Sequence, residues 1–320
     1  MTETDPMPSP VRVGTRASQL ALTQTGHVAD ALERLGAGTP ALVRIRTDGD
    51  RLTGSLTSLG GTGVFVTALR EALLDGTCDV AVHSFKDLPT AAADGLAIGA
   101  VPPREDPRDA LCARDGLTLA TLPEGASVGT GSPRRAAQLL AARPDLRVVD
   151  IRGNVDTRLN RALGPEADLD AVVLAHAGLA RLGRLDAISE SLPTDVMTPA
   201  PAQGALAVEV RAEGLDPALA AALAELDDPG TRLAVLAERA LLARLEAGCA
   251  APVGALGTVD AGLLALHAVV LRPDGTERLS LTESIALDGA DDAAQAVALG
   301  ERVAESLLAD GAADLAGLTA

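Results

Sequence analysis

The octapeptide HSFKDLPT (residues 83–90) places an ammonium group and a carboxylate side by side. Lys86 is the only lysine in the chain, and Asp87 follows it directly. The octapeptide begins at the end of CDVAVHS (78–84), whose apolar alternation predicts a β-strand, and Pro89 prevents the strand from continuing. A carboxylate beside a cation stays ionised, so it can hold a ring N–H or transfer a proton. A local ion pair is the alternative interpretation of Lys86 and Asp87.

The segment GSPRR (131–135) combines a helix start with two arginines. Ser132 is a favoured N-cap and Pro133 suits the first helical position, so Arg134 and Arg135 fall in the first turn. Cations there oppose the helix dipole, and a local rule broken in this way often marks a functional site. Free backbone N–H groups with two guanidinium groups would bind a carboxylate or a phosphate. An arginine pair bonded to acidic neighbours is the alternative.

Four further arginines follow predicted strands or helices. They are Arg16, Arg152, Arg158 and Arg181. Each of them, taken singly, is typical of a surface residue. The chain carries a formal net charge of −17, and arginines that recur at the carboxyl ends of successive strands therefore indicate a ligand with many carboxylates.

The cysteines are widely separated along the chain. Cys249 follows the end of a predicted helix, in a segment that resembles a loop, where an exposed thiol could do thiolate chemistry. A small buried side chain is the alternative for any free cysteine. Cys78 begins a predicted strand and Cys112 lies in an apolar run, so neither is expected to react. No His, Cys or acidic residues recur at a metal-ligand spacing, and no metal is predicted.

The elements that must position these residues alternate between strand and helix. Two proline-rich stretches, 101–109 and 192–205, bracket a block in which strand, turn and helix repeat. This pattern predicts an inserted α/β lobe joined to the first lobe by two hinges, with a cleft between the lobes. The C-terminal region instead predicts a helix, three strands with a hairpin at RPDGTER, and a final helix from about Asp291.

The domain boundaries follow from these patterns. We assign residues 1–103 and 200–226 to the first α/β lobe and residues 104–199 to the second. Residues 227–320 form a small C-terminal α+β domain that carries Cys249.

The composition excludes several classes of protein. The strongly negative charge opposes binding to duplex nucleic acid and to an anionic membrane surface. The chain has no Trp or Tyr, so its cores must be aliphatic. No apolar stretch is long enough to span a bilayer, and the acidic, proline-rich start is unlike a signal peptide. A cytoplasmic protein is therefore expected.

Several motifs, in this order, resemble the porphobilinogen deaminase (hydroxymethylbilane synthase) family over nearly the whole chain. They are VRVGTRASQLAL, GVFVTALREALL, DVAVHSFKDLPT, REDPRDAL, VGTGSPRRAAQL, IRGNVDTRL, APAQGALAVE and AERALLARLEAGCAAPVGA. The resemblance implies an α/β fold of two periplasmic-binding-protein-like lobes that flank a cleft, with a third domain that carries a cysteine on a loop. Because the motifs are numerous and ordered, the resemblance is specific everywhere except the far C-terminal region.

The resemblance also implies an activity and a cofactor. Family members are transferases of tetrapyrrole and haem biosynthesis that deaminate four porphobilinogen molecules and join them head to tail. The growing polypyrrole is built on a dipyrromethane cofactor, which a cysteine matched here by Cys249 holds by a thioether. Hydrolysis then releases hydroxymethylbilane. A cytoplasmic monomer that binds porphobilinogen, and neither nucleic acid nor membrane, is expected.

The resemblance assigns a role to most of the residues singled out above. Asp87 matches the catalytic carboxylate, and Phe65 matches a loop aromatic that covers the site. The matching cofactor- and substrate-binding residues are Arg16, Ser18, Lys86, Ser132, Arg134, Arg135, Arg152, Arg158 and Arg181. Independently of the resemblance, His83 lies on the predicted strand and is expected to be a hydrogen-bonded core histidine, or one that supports the site, rather than a catalyst. Phe85 is expected to have a packing role.

The chain departs from the family pattern at a few positions. Ser58 and Thr62 precede Phe65 where family members often have lysines. These uncharged residues argue against a cationic role for that loop. Ala247 replaces a common glycine just before Cys249, a steric change that keeps the thiol.

The rival interpretation is a solute-binding protein or a regulator's sensor domain with the same two-lobed fold, because fold alone does not fix function. That interpretation needs neither Cys249 nor Asp87, and it usually comes with an export signal or a DNA-binding helix pair. Neither is found in the sequence. An intact mass greater than that of the sequence by one dipyrromethane favours the enzyme.

Overall fold

The structure is a computed structural model that describes residues 10–45, 63–247 and 251–317. The strands in these ranges are β1 Val11–Thr15, β2 Pro40–Arg44, β3 Val80–Ser84, β4 Leu96–Ala100, β5 Asp109–Ala113, β6 Ser127–Gly129, β7 Arg147–Val149, β8 Ala171–Ala175, β9 Glu190–Ser191, β10 Leu206–Arg211, β11 Val253–Asp260, β12 Leu263–Leu271 and β13 Arg278–Ala286. The helices are α1 Gln19–Arg34, α2 Gly63–Leu74, α3 Pro133–Ala142, α4 Val155–Leu163, α5 His176–Arg181, α6 Pro217–Leu226, α7 Pro229–Arg244, α8 Asp292–Ala309 and α9 Ala312–Ala316.

The first compact unit comprises Met1–Pro103 and Leu206–Asp228. Its sheet has the strand order β2-β1-β3-β10-β4, in which β1 is parallel to β2 and β3, and β10 is antiparallel to β3 and β4. Helices α1 and α6 cover one face of the sheet with aliphatic side chains, and α2 covers the other. Both faces of the central strands β3 and β10 are buried, and most of their side chains are apolar.

The second compact unit comprises Arg104–Ala205 and Pro229–Ala320, and it contains two sheets. The first of these has the order β7-β6-β8-β5-β9. Strands β6, β7 and β8 are parallel, and β5 runs antiparallel to β8. This order repeats the plan of the first unit, with three parallel strands followed by one antiparallel strand. The predicted fold of two periplasmic-binding-protein-like α/β lobes and a small C-terminal α+β part is confirmed.

The C-terminal part of the second unit is an antiparallel meander, β11-β12-β13. Helices α7 and α8 pack on it through an entirely aliphatic core. The two helices approach closely at Gly300, where an added Cβ would lie 2.2 Å from the Ala237 carbonyl oxygen. The division of this unit into a second lobe and a separate C-terminal domain stays a prediction.

Capping residues explain where several helices begin. Ser18 accepts a hydrogen bond from the Ala21 N–H at the start of α1, and Asp291 accepts one from Ala294 at the start of α8, as the sequence predicts. The glycine-rich sequence GGTGVF (60–65) predicts a loop, and this prediction is wrong at its end, because α2 already begins at Gly63. Val66, Leu69 and Leu73 bury one face of that helix, and this packing outweighs the poor helix propensity of its first turn.

Within the described ranges, no helix combines the length and the apolar character that crossing a bilayer requires. The described residues also contain no group of three or more His, Cys, Asp and Glu side chains that could hold a metal ion.

Candidate active site

Asp87 lies on a short 3-10 turn, Phe85–Asp87, directly after β3. The side chains on either side of it anchor the turn, since Phe85 and Leu88 are each only 4% exposed. The packing role predicted for Phe85 fits this burial. Asp87 itself is exposed, and no described residue donates a hydrogen bond to it. Its carboxylate is thus held at a fixed place with its oxygens available to a ligand.

Arg16 and Ser18 follow β1, the parallel neighbour of β3. The carboxyl ends of parallel neighbours meet at the same edge of a sheet, which is where open α/β sheets bind ligands. Arg16, Ser18, Lys86 and Asp87 therefore share one edge of the first unit. Ser18 uses its hydroxyl oxygen to cap α1, and the hydroxyl hydrogen stays available as a donor.

The predicted arginine pair lies in the first turn of α3, as the sequence indicates, but it is buried. Arg134 and Arg135 are 4% and 6% exposed, and both bind the fully buried Asp109 at the start of β5. The acidic partner that the alternative interpretation requires is therefore present. The turn is not solvated, however, and Ser132 caps it through the Arg135 N–H.

The contacts of this pair divide the Asp109 carboxylate between the two guanidinium groups. Arg134 Nη2 lies 2.8 Å from Asp109 Oδ2, and Arg135 Nε and Nη2 lie 2.9 and 2.7 Å from Oδ1. Gln203 Nε2 donates a further bond of 2.8 Å to Oδ1. Arg134 also donates to the Thr198 carbonyl and Arg135 to the Val173 carbonyl. The pair is thus fixed by side chains and backbone on both sides.

Charge–charge interactions keep this cluster ionised despite its burial. Burial alone would raise the pKa of Asp109, but the two guanidinium groups lower it to about 2. Burial lowers the pKa of the Arg134 guanidinium. Two guanidinium groups with one carboxylate leave one net positive charge in the buried cluster.

Arg152 and Arg158 flank the loop that follows β7, on the way into α4. Arg158 Nε donates to the Gly153 carbonyl over 2.8 Å, and Arg152 Nη2 lies 3.2 Å from the exposed Asp150. Burial, followed by repulsion from Arg135 and Arg152, lowers the pKa of Arg158. The loops after β6 and β7 lie close together, since a Cβ added at Gly131 would lie 3.7 Å from Arg152 Nη1. Together the two loops present an excess of positive charge.

Arg181 ends α5 and does not join this cluster. Its Nη2 donates to the Gly204 carbonyl over 2.7 Å, and burial lowers its pKa. Gly204 has a φ of +89° and accepts a second bond from the Glu105 N–H. Arg181 is therefore attached to the proline-rich segment that leads out of the second lobe.

A ligand with several carboxylates fits the second-lobe cluster. Arg134 Nε is buried and has no hydrogen-bond partner among the described residues. Only Asp109 and Asp150 are seen to pair with the four guanidinium groups on these two loops in the described part of the chain. The donor set suits acetate and propionate groups such as those a dipyrromethane carries.

The three cysteines differ in what the structure says of them. Cys78 and Cys112 are fully buried free thiols, and burial raises their pKa values to about 11 and about 12. Neither forms a thiolate readily at neutral pH. Cys249 lies outside the described residues, as do Ser58 and Thr62. Phe65 lies in the first turns of α2.

Sequence reasoning missed the buried acids that hold the site together. Asp109 begins an apolar strand, and Glu209 interrupts the apolar strand β10. A charged residue inside such a strand is almost never fully buried unless it is paired. That signal was present in PRDAL and ALAVEVR. It could not, however, name the arginines that pair with these acids.

Comparisons with known proteins extend over both units. A model described as "Porphobilinogen deaminase, dipyromethane cofactor binding domain" matches residues 11–217, and "Porphobilinogen deaminase, C-terminal domain" matches residues 232–309. The porphobilinogen deaminase of Leifsonia xyli is 58% identical over 316 residues, 96% of this chain and 94% of its own length. That of Cutibacterium acnes is 56% identical over 329 residues, 98% of each chain.

Among solved structures, the reduced regulatory domain of OxyR2 from Vibrio vulnificus is similar to the chain with a TM-score of 0.38 and 14% identity. The similarity covers 71% of this chain and 99% of that one.

We predict that Asp109→Asn destabilises the protein by about 3–5 kcal/mol, because two buried guanidinium groups lose their counter-charge. The pKa of Asp109 is lower in the folded than in the unfolded state. Its stabilisation is therefore present above about pH 4 and is lost as the pH falls towards 2. Urea unfolding between these pH values should show a weaker acid dependence in the variant. Asp145→Asn, which breaks the partly exposed Arg143–Asp145 pair, is the control and should change stability much less. Equal losses from both variants would contradict the prediction.

Proposed function

The chain belongs to the porphobilinogen deaminase family, and we infer that it deaminates four porphobilinogen molecules and joins them head to tail into hydroxymethylbilane. The observation that carries this inference is the match of both family models across residues 11–217 and 232–309, together with relatives at 56% and 58% identity over nearly the full length. The rival interpretation as a solute-binding protein has no comparable support.

We propose that Cys249 attaches the dipyrromethane cofactor by a thioether. The family model that matches the first 217 residues is named for this cofactor. Cys78 and Cys112 have no exposed surface and are poor nucleophiles, which leaves Cys249 as the thiol suited to attachment. When bound, the cofactor supplies the pyrrole carbon to which the first substrate is joined.

We propose that the second-lobe arginines hold the carboxylates of cofactor and substrate. Arg134 and Arg135 are held rigidly by Asp109, and Arg152 and Arg158 add charge from the neighbouring loop. Arg16 and Lys86 would bind carboxylates from the edge of the first lobe, and Ser18 and Ser132 would donate from helix N-termini. Rigid guanidinium groups orient a carboxylate at little cost in entropy.

We propose that Asp87 is the catalytic carboxylate. As the bond between the aminomethyl carbon and nitrogen breaks, ammonia leaves and positive charge develops on the pyrrole. A fixed carboxylate near that ring stabilises the cation and can accept the proton that the coupling carbon loses when the new carbon–carbon bond forms. The exposed position of Asp87 on an anchored turn supports this role.

Cys249→Ala should give a folded protein without cofactor and without turnover, because the other two thiols are buried. Intact mass and the rate of porphobilinogen consumption check this expectation. Cys78→Ala and Cys112→Ala serve as controls and should keep the mass of one dipyrromethane. Full activity in Cys249→Ala would refute the attachment site.

Asp87→Asn should keep the cofactor and bind substrate but lose most turnover, since the amide keeps the shape and removes the charge. Loss of one preorganised charge of this kind costs roughly 3–4 kcal/mol of barrier. Single-turnover kinetics, together with the intact mass, give the test. A near-normal rate would exclude the electrostatic role.

Arg152→Leu and Arg158→Leu should each stall growth at a particular length. Every added porphobilinogen brings two more carboxylates, while the set of arginines is fixed, so different arginines matter at different lengths. After brief exposure to limiting substrate, intact mass counts the pyrrole units retained by the protein, and each variant should accumulate at its own count. Lysine should rescue only partly, because it lacks the bidentate geometry. A uniform slowing without accumulation would show that these arginines do not act at specific lengths.

A further inference from the structure

Glu209 is a buried carboxylate in the middle of β10, a strand that is otherwise apolar until its last residue. The residue is 2% exposed. Arg70 Nε lies 3.0 Å from Oε1 and 3.3 Å from Oε2, and Arg70 Nη2 lies 3.0 Å from Oε1. On the other side, His83 Nε2 lies 3.2 Å from Oε2. This separation is within ion-pair distance, although the contact lacks the geometry of a hydrogen bond.

These contacts join the two elements that lead into the proposed site of the first lobe. Arg70 belongs to α2, the helix whose first turns contain Phe65. His83 is the fourth residue of β3, and it precedes Asp87 by four residues in sequence. The Glu209 carboxylate therefore fixes the helix that carries the proposed covering aromatic to the strand that carries the proposed catalytic carboxylate.

The path from His83 to Asp87 leaves little freedom. The next residue, Ser84, exchanges hydrogen bonds with the buried Gln24 of α1, at 3.0 and 3.3 Å. Phe85 and Leu88 are buried on either side of Asp87. A shift of β3 at His83 would therefore be passed on to the turn that holds Asp87, because the segment between them is fixed at each step.

Stability alone is a weak explanation for this buried network. Replacing a buried ion pair by apolar residues of similar volume is often neutral or stabilising. The face of the sheet beneath α2 is otherwise aliphatic, with Leu69, Leu73 and Ala81 in contact. The Glu209 carboxylate is hydrogen-bonded to the helix through Arg70 and lies in ion-pair contact with the strand through His83. Such polar contacts fix the register of the two elements better than apolar packing does.

We propose that Glu209, acting through His83 and Arg70, is a positioning residue that sets the place of Asp87. The proposal rests on the role of Asp87 given above. It assigns to Glu209 no contact with substrate. Its effect should therefore fall on the chemical step and leave carboxylate binding by the arginines unchanged.

Glu209→Gln tests the proposal, with Asp79→Asn as the matched control. Asp79 also accepts hydrogen bonds from two arginines in the same unit, at 2.7 Å from Arg12 Nη2 and 3.0 Å from Arg211 Nη2, but it precedes the amino end of β3, away from Asp87. Both variants should lower the thermal midpoint. Glu209→Gln alone should lower kcat, by about 10- to 100-fold for a displaced reacting group, with KM and the cofactor mass unchanged. Equal kcat values for the two variants would overturn the proposal.

A double-mutant cycle with Asp87→Asn separates positioning from general damage. If Glu209 acts by placing Asp87, Glu209→Gln should have almost no further effect on kcat once the Asp87 charge is gone. Independent, multiplicative losses would overturn the proposal. If the unmodified protein consumed no porphobilinogen, the proposed function itself would be wrong. An active unmodified protein with independent losses in the cycle would contradict only the positioning role of Glu209.

His83 variants keep the test decisive if Glu209→Gln does not fold. His83→Leu leaves the Arg70–Glu209 pair in place but removes the imidazole contact on β3, and it should lower kcat without raising KM. His83→Gln offers an N–H donor in place of Nε2 and should restore much of the rate. Full activity in His83→Leu would overturn the proposal.

Discussion

The buried carboxylate of Asp109 allows two adjacent arginines to occupy the first turn of α3. Without it, the helix dipole, the mutual repulsion of the guanidinium groups and their desolvation would all oppose that arrangement. With it, Arg134 and Arg135 are paired inside the lobe and held at fixed positions. Much of the second lobe is organised around this requirement. Strand β5 must deliver Asp109 beneath α3, and Gln203 must reach back to the same oxygen.

A buried carboxylate also joins separate segments of the chain elsewhere in the structure. In the second unit, Glu238 of α7 is fully buried and accepts hydrogen bonds from Arg104 and from the backbone N–H groups of Ala202 and Gly257. It thereby joins both proline-rich segments to the C-terminal sheet. In an aliphatic interior without Trp or Tyr, apolar packing supplies most of the stability but little direction. Buried carboxylates that accept several hydrogen bonds fix how the segments are oriented. Asp109, Glu209 and Glu238 are each paired with an arginine.

The sequence predicted the fold class and most elements because their signals are local. Ser18 capping α1 and the β/α alternation are readable from neighbouring residues. The sequence does not predict the start of α2, since the burial of Val66, Leu69 and Leu73 outweighs the poor helix propensity of its first turn. The arginines were found through their position after strands, yet their partners were not. Asp109 lies 25 residues before Arg134 in the sequence, and only the antiparallel placement of β5 brings the two together.

The distribution of charge follows from the proposed ligand. A chain with a net charge of −17 repels anions at long range, so a polycarboxylate must be held by short-range, directional contacts. Arginines in rigid positions meet that need better than flexible lysines, of which the chain has only Lys86. An acidic residue that fixes an arginine in place also neutralises part of that arginine's positive charge. The second-lobe cluster therefore keeps a small net positive charge within a fixed geometry, a compromise suited to a ligand that must be bound, lengthened and finally released.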